Sequence, residues 1–143
     1  MSVGKILDQK GRAVITVTPE QNLHQASLLM AEHRIGAVVI TGIGGTVAGI
    51  LSERDIVRAL ATSGADALTQ PVRDHMTRRV STCSAGSRIP EVMEMMTDGK
   101  FRHVPVLKDG QLDGMISIGD VVKHRLAELE NESRSLRDYI HAS

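Results

Sequence analysis

The sequence predicts an α/β (α+β) protein made of two copies of one β-α-β-β-α unit. Two observations carry this. A nine-residue phrase occurs twice, GILSERDIV at Gly49 to Val57 and GMISIGDVV at Gly114 to Val122. Upstream of each phrase the apolar pattern also repeats in register, so the repeat extends over a whole structural unit.

The register is specific. Thr16 meets Thr82, Leu23 meets Ile89, Ala26 meets Val92, and Leu29-Met30 meets Met95-Met96. Ile35 meets Phe101, Val38 meets Val104 and Ile40 meets Val106; one extra residue in GIGGTVA relative to KDGQLD then shifts the alignment by one. The lead-ins SVGKIL and PVRDHM also match loosely.

Each element follows from local pattern. Val14 to Val17 is short and β-branched and predicts a strand. Leu23, Ala26, Leu29 and Met30 fall at helical spacing behind Asn22, a good N-cap. AVVIT at Ala37 to Thr41 is a fully apolar strand, Gly44-Gly45 a turn, Val47 to Leu51 a second strand, and Glu53 to Thr62 a helix. The second copy repeats the order, with a helix over Arg88 to Asp98, strands HVPVL and LDGMIS, and a helix from Ile118. The division expected is residues 1–65 for the first copy with its lead-in, 66–71 for a polar link, 72–125 for the second copy and 126–143 for a helical extension. A copy of this size buries too little surface alone, so the two are expected to pack sheet against sheet. Leu126, Leu129, Leu136 and Ile140 mark an apolar stripe on the extension that either packs back on its own copy or meets a second chain.

Composition narrows the function. The 143 residues carry 17 Lys+Arg and 17 Asp+Glu, so there is no basic surplus for nucleic acid. With one Phe, one Tyr and no Trp, base-stacking surfaces are missing as well. No apolar run reaches membrane-spanning length, and the N-terminus lacks a signal-peptide core. Cys83 is alone, which excludes an internal disulfide framework and points to a reducing cytoplasm; it reads as a small buried residue rather than a reactive thiol. The six histidines form no zinc pattern, and no phosphate-loop or dinucleotide glycine motif occurs, so no metal and no catalytic cofactor are expected. Met93, Met95 and Met96 read as core filler, and Glu91 and Glu94 as a solvated face. No nucleophile, base and orienting residue stand together, so no catalytic residues are assigned and an enzyme is not expected.

The repeated phrase supports two explanations. Ser52-x-x-Asp55 and Ser117-x-x-Asp120 each fit a capping box before an apolar run, which needs no ligand. The same geometry places a glycine, a serine and a carboxylate at a strand-to-helix junction. A hydroxyl and free N–H groups there suit phosphate, and a carboxylate there accepts from the hydroxyls of a ribose.

The order β-α-β-β-α, its duplication and the doubled G-h-h-S-x-x-D, with HMT and RHVPV in the second copy, resemble a pair of CBS domains, the Bateman module. The likeness runs from about residue 3 to 125. It implies two pseudo-symmetric CBS repeats acting as a non-catalytic regulatory module. Such a module takes adenine nucleotides or nucleosides (AMP, NAD(H), ATP or S-adenosylmethionine) in clefts between the repeats and pairs into a homodimer. As a tandem pair it would signal energy or redox state through an unknown effector protein.

Carried over by position, the resemblance implies a first cleft from Ile50, Ser52, Arg54 and Asp55 of one copy. Val80, Ser81, Arg102 and His103 face them from the other. The second would use Met115, Ser117 and Asp120, facing Val14, Ile15, Thr16, Ala37 and Val38. Gly119 stands where Arg54 does, and Gly36-Ala37 where Arg102-His103 do. The Asp55 cleft is therefore expected to take the more highly charged ligand, and its mate a nucleoside part, a weak ligand or none. The alternative is a structural interaction dimer with degenerate, unliganded clefts.

Overall fold

A computed structural model describes residues 1–142. The chain runs α1 (Val3–Lys10), β1 (Thr16–Val17), α2 (Leu23–His33), β2 (Ala37–Thr41), β3 (Val47–Ser52), α3 (Glu53–Ser63), α4 (Ile89–Gly99), β4 (His103–Lys108), β5 (Gln111–Ser117) and α5 (Ile118–Ala142). The first copy holds a three-stranded sheet in the order β1-β2-β3, with β1 parallel and β3 antiparallel to β2. The second holds the antiparallel pair β4-β5.

The first strand of each copy is shorter than expected. Val14 to Val17 contributes only Thr16–Val17, opposite Val39 and Ile40. In the second copy the equivalent segment is reduced to one parallel bridge, Cys83 to Val106. Cys83 N–H donates to the Pro105 carbonyl at 3.0 Å, and its carbonyl accepts from Leu107 N–H at 2.8 Å. An edge segment with one neighbour pairs only where the chain runs straight. After Cys83 the chain turns at once, held by Ser84 N–H to Ser87 Oγ at 3.0 Å.

The other elements stand within a residue or two of the sequence pattern. Asn22 caps α2 through a reciprocal box, its side chain accepting from Gln25 N–H at 2.8 Å while Gln25 Oε1 accepts from Asn22 N–H at 3.0 Å. Two apolar cores form, one per copy. Leu23, Ala26, Met30, Val38, Ile40, Leu51 and Ile56 belong to the first; Ile89, Val92, Met96, Val104, Val106, Ile116 and Val121 belong to the second. Ala37 and Val39, on the opposite face of β2 from Val38 and Ile40, are buried too. Both faces of this strand are therefore covered, which is why AVVI is an unbroken apolar run.

The two copies are interlocked through their lead-ins. α1 precedes the first copy in sequence, yet Val3, Ile6 and Leu7 are buried in the second core. Val72 and Met76, from the segment preceding the second copy, pack in the first. The stretch between the copies is not slack chain. Gly64–Thr69 forms a 3-10 helix, and Ala67 and Val72 are fully buried in the first core.

These crossings account for the doubled glycine. A Cβ on Gly114 would lie 2.7 Å from Leu7 Cδ2, and one on Gly49 would lie 2.6 Å from Met76 Sδ and 2.9 Å from the Thr77 carbonyl. In each copy the glycine lets the other copy's lead-in cross the strand.

The first turns of α5 pack on the second copy through Val121, but its apolar stripe beyond His124 is not buried there. α5 is a 25-residue helix, about 37 Å long, whose last buried residue is His124. Leu126, Leu129 and Leu136 are exposed. On α4, Met96 is buried, but Met93 is exposed, as Glu91 and Glu94 are, which departs from the core-filler expectation for that methionine.

Candidate functional site

The strand-to-helix junctions share one plan in both copies. At the β3–α3 junction Ser52 N–H donates to Asp55 Oδ2 at 2.9 Å, Ser52 Oγ–H donates to the same oxygen at 3.1 Å, and Asp55 N–H donates to Ser52 Oγ at 3.3 Å. At the β5–α5 junction Ser117 N–H donates to Asp120 Oδ2 at 2.9 Å, and Asp120 N–H donates to Ser117 Oγ at 3.1 Å. Each Ser-x-x-Asp phrase is thus a complete capping box. The next helical N–H is tied back as well, Glu53 to the Gly36 carbonyl at 3.0 Å and Ile118 to the Arg102 carbonyl at 2.8 Å. These bonds fix each carboxylate beside the start of the strand that follows the preceding helix.

Around Asp55 lies a cavity of about 640 Å³, a volume in the range of small-molecule sites. All eight residues expected in the first cleft line it. Ile50, Ser52, Arg54 and Asp55 come from the first copy, and Val80, Ser81, Arg102 and His103 from the second. Sequence reasoning missed Arg58, Arg79, Lys100 and Phe101, which line it too. Arg58 was visible in principle, one turn along α3 from Asp55. Lys100 reaches the site because it ends α4 in the left-handed region at φ 57°, as Arg34 ends α2 at φ 54°.

The cavity is electropositive and partly apolar. Arg54, Arg58, Arg79, Lys100 and Arg102 face only Glu53 and Asp55, a surplus of three cations in a chain of zero net charge. Arg58 Nη1 stands 3.6 Å from Asp55 Oδ1, and Arg54 Nη1 lies 3.5 Å from the Lys100 carbonyl, bridging the two copies at the rim. Ile50, Val57, Val80 and Phe101 form the apolar walls. Burial holds the His103 imidazolium below its ordinary pKa, with Lys10 and Arg102 adding to the effect and Glu53 and Asp120 opposing it, so the ring is neutral at pH 7. A floor of this kind offers cations to phosphate and a carboxylate to hydroxyl donors.

The second expected cleft is different. Val38 is fully buried in the first core, because alternate residues of β2 point to opposite faces and Val38 shares the face of Ile40. Ala37 lines the Asp55 cavity instead. Val14, Ile15 and Thr16 lead into and form the short edge strand β1, the Ile15 carbonyl accepting from Val39 N–H at 3.3 Å. Met115, Ser117 and Asp120 do come together, but Lys10 reaches them from α1. Its ammonium donates to Asp120 Oδ2 at 2.7 Å and to the Met115 carbonyl at 3.0 Å. Burial pushes the Asp120 carboxyl up, but the Lys10 ammonium and the Ser117 donors outweigh it and hold the group below the usual carboxylate range.

Cys83 is half-buried, and burial pushes its thiol up to about 11, which keeps it protonated and unreactive at neutral pH. Among the described residues no three His, Cys, Asp or Glu side chains gather as metal ligands, and no helix is long and apolar enough to cross a membrane.

The family model for the CBS domain matches residues 7–62 and 72–127. The chain is 49% identical to a CBS-domain containing protein of Agrobacterium tumefaciens whose crystal structure superposes with a TM-score of 0.85, covering 87% of this chain and 99% of that one. It is 31% identical to the mitochondrial CBS domain-containing protein CBSX3 of Arabidopsis thaliana over 97% of this chain and 71% of that protein. A CBS domain protein of Pyrobaculum aerophilum, solved in complex with AMP, is 25% identical with a TM-score of 0.80, covering 93% of this chain and 99% of that one.

Proposed function

Because the chain belongs to the CBS domain family, we propose that it is a non-catalytic regulatory module that binds an adenine nucleotide in the Asp55 cavity. One observation carries this: residues from both copies converge on a cavity holding a carboxylate, apolar walls and a surplus of three cations. The cations favour a phosphate-bearing ligand over a bare nucleoside. Asp55 is placed to accept from ribose hydroxyls, and the apolar walls suit a base. AMP and NAD(H) are the leading ligands, followed by ATP; the AMP complex of the Pyrobaculum relative supports the class. Since the cavity is walled by both copies, a ligand there favours one arrangement of the pair over another, and that difference is the signal passed to an effector protein. Exposed apolar residues on α3 (Val57, Leu60) and α5 (Val122, Leu126, Leu129) support a homodimer built on these helices.

The test is thermal unfolding with AMP, ATP, NAD+, NADH and S-adenosylmethionine in turn. A ligand at about 100 times its dissociation constant adds about 2.7 kcal/mol and raises the midpoint by several degrees. A selective rise that disappears in Asp55→Ala is the expected result. A second reading, an interaction dimer with unliganded clefts, is favoured by capping boxes that are complete without a ligand. It holds if no nucleotide raises the midpoint of protein free of co-purified nucleotide.

A further inference from the structure

Lys10 reaches the β5–α5 junction from the end of α1. Its ammonium makes two donor contacts, 2.7 Å to Asp120 Oδ2 and 3.0 Å to the Met115 carbonyl. These are the acceptors that a hydroxyl-bearing or amino-bearing ligand would use at this junction. Pseudo-symmetry sharpens the contrast. Leu7 crosses Gly114 as Met76 crosses Gly49, so Lys10, three residues after Leu7, corresponds to Arg79, three residues after Met76. Arg79 lines the open Asp55 cavity, and the ion pair made by Asp55 is the 3.6 Å contact with Arg58. One copy's lead-in leaves its carboxylate facing a cavity; the other pairs it with an ammonium.

The end of α1 is held in place by more than Lys10. Arg12 pairs with Asp8 at 2.7 Å and with Asp113 of β5 at 3.5 Å, and Gly11 closes the helix at φ 98°. Upstream, Val3 N–H and Gly4 N–H donate to the Ser87 and Ala85 carbonyls at 2.9 and 2.8 Å. Lys10 itself is 38% exposed, so replacing its side chain leaves no cavity in the core.

We propose that Lys10 is a built-in stopper of the second cleft, its ammonium occupying Asp120 and Met115 so that the wild-type chain takes one nucleotide, at Asp55, and a second only when Lys10 is removed. This rests on the nucleotide reading of the Asp55 cavity. It makes Lys10 a determinant of stoichiometry and ties any occupant of the second cleft to the position of α1.

The experiment is isothermal titration calorimetry with AMP, repeated with NADH, on wild type, Lys10→Met and Lys10→Met/Asp120→Ala, with circular dichroism to verify folding. Methionine keeps the length of the stem and removes the charge. The expected stoichiometries are one, two and one per chain. Two sites in the wild type, or one in a folded Lys10→Met, overturns the stopper. No binding by the wild type with one site gained in Lys10→Met overturns the Asp55 site but supports the stopper. No binding by either protein overturns both.

Discussion

Replacing Gly49 by alanine separates a structural glycine from a ligand-binding one. The added Cβ would lie 2.6 Å from Met76 Sδ, 2.9 Å from Met76 Cγ and 2.9 Å from the Thr77 carbonyl oxygen. Optimal carbon contacts are about 3.5–4.0 Å, so the crossing segment must retreat by roughly 0.5–1 Å. Met76 can swing, but Thr77 is backbone and is held to Ile50 by two reciprocal hydrogen bonds of 3.0 and 2.9 Å. The expected cost is that of overpacking, about 1–3 kcal/mol, with part of a hydrogen bond, about 1 kcal/mol, lost if Thr77 moves. At a urea m-value of about 2 kcal/mol/M the midpoint falls by about 1 M. Gly86→Ala is the control, since the nearest atom to its Cβ is Ser84 Oγ at 4.0 Å, and it should stay within about 0.5 kcal/mol of wild type. Equal midpoints for the two variants would refute the strap as the reason for the glycine.

Three further outcomes are expected. In the ligand-free protein His103 should titrate below about 6.5, followed by its imidazole NMR signals. The unfolded chain takes that proton first, so stability falls as pH drops from about 6.5 through the lower folded value; a midpoint at or above the ordinary value would contradict the burial of the ring. In Lys10→Met the Asp120 carboxyl should titrate at higher pH than in wild type, read by carboxyl carbon NMR. Because the folded group is depressed, its contribution to stability is present above about pH 4 and lost as pH falls below that. An unchanged Asp120 midpoint would mean that Lys10 does not hold it. Val122→Glu, at an exposed apolar position on α5, should weaken self-association in sedimentation velocity by at least tenfold without lowering the unfolding midpoint by more than a degree or two. Unaltered self-association would remove α5 from the interface.

Much of the fold was legible because apolar periodicity acts locally. AVVIT became β2 with the same ends, Asn22 formed its capping box, and both Ser-x-x-Asp phrases became caps. The first strands were less legible, because an edge segment depends on its neighbour: Val80 to Cys83 has Ser81 where its counterpart has Ile15 and Cys83 where it has Val17, and the segment pairs only at Cys83. The destination of the lead-ins could not be seen, since the apolar residues of α1 fit either core until the chain path decides. The Asp55 cavity was legible for residues inside the repeated motifs and not for Arg79 and Lys100, which arrive from a lead-in and a helix end. The partner of Asp120 is Lys10, 110 residues away, and no local pattern carries that pairing.

The most direct test compares Asp55→Ala with Asp120→Ala by calorimetric titration with AMP, and with NADH if AMP does not bind. Loss of charge-assisted hydrogen bonds at the carboxylate, about 1.5–3 kcal/mol, should weaken Asp55→Ala by roughly 10- to 150-fold. Asp120→Ala, whose partner is Lys10 rather than a ligand, should bind within about twofold of wild type. Equal losses in the two variants, or a loss confined to Asp120→Ala, would contradict the assignment of the ligand to the Asp55 cavity.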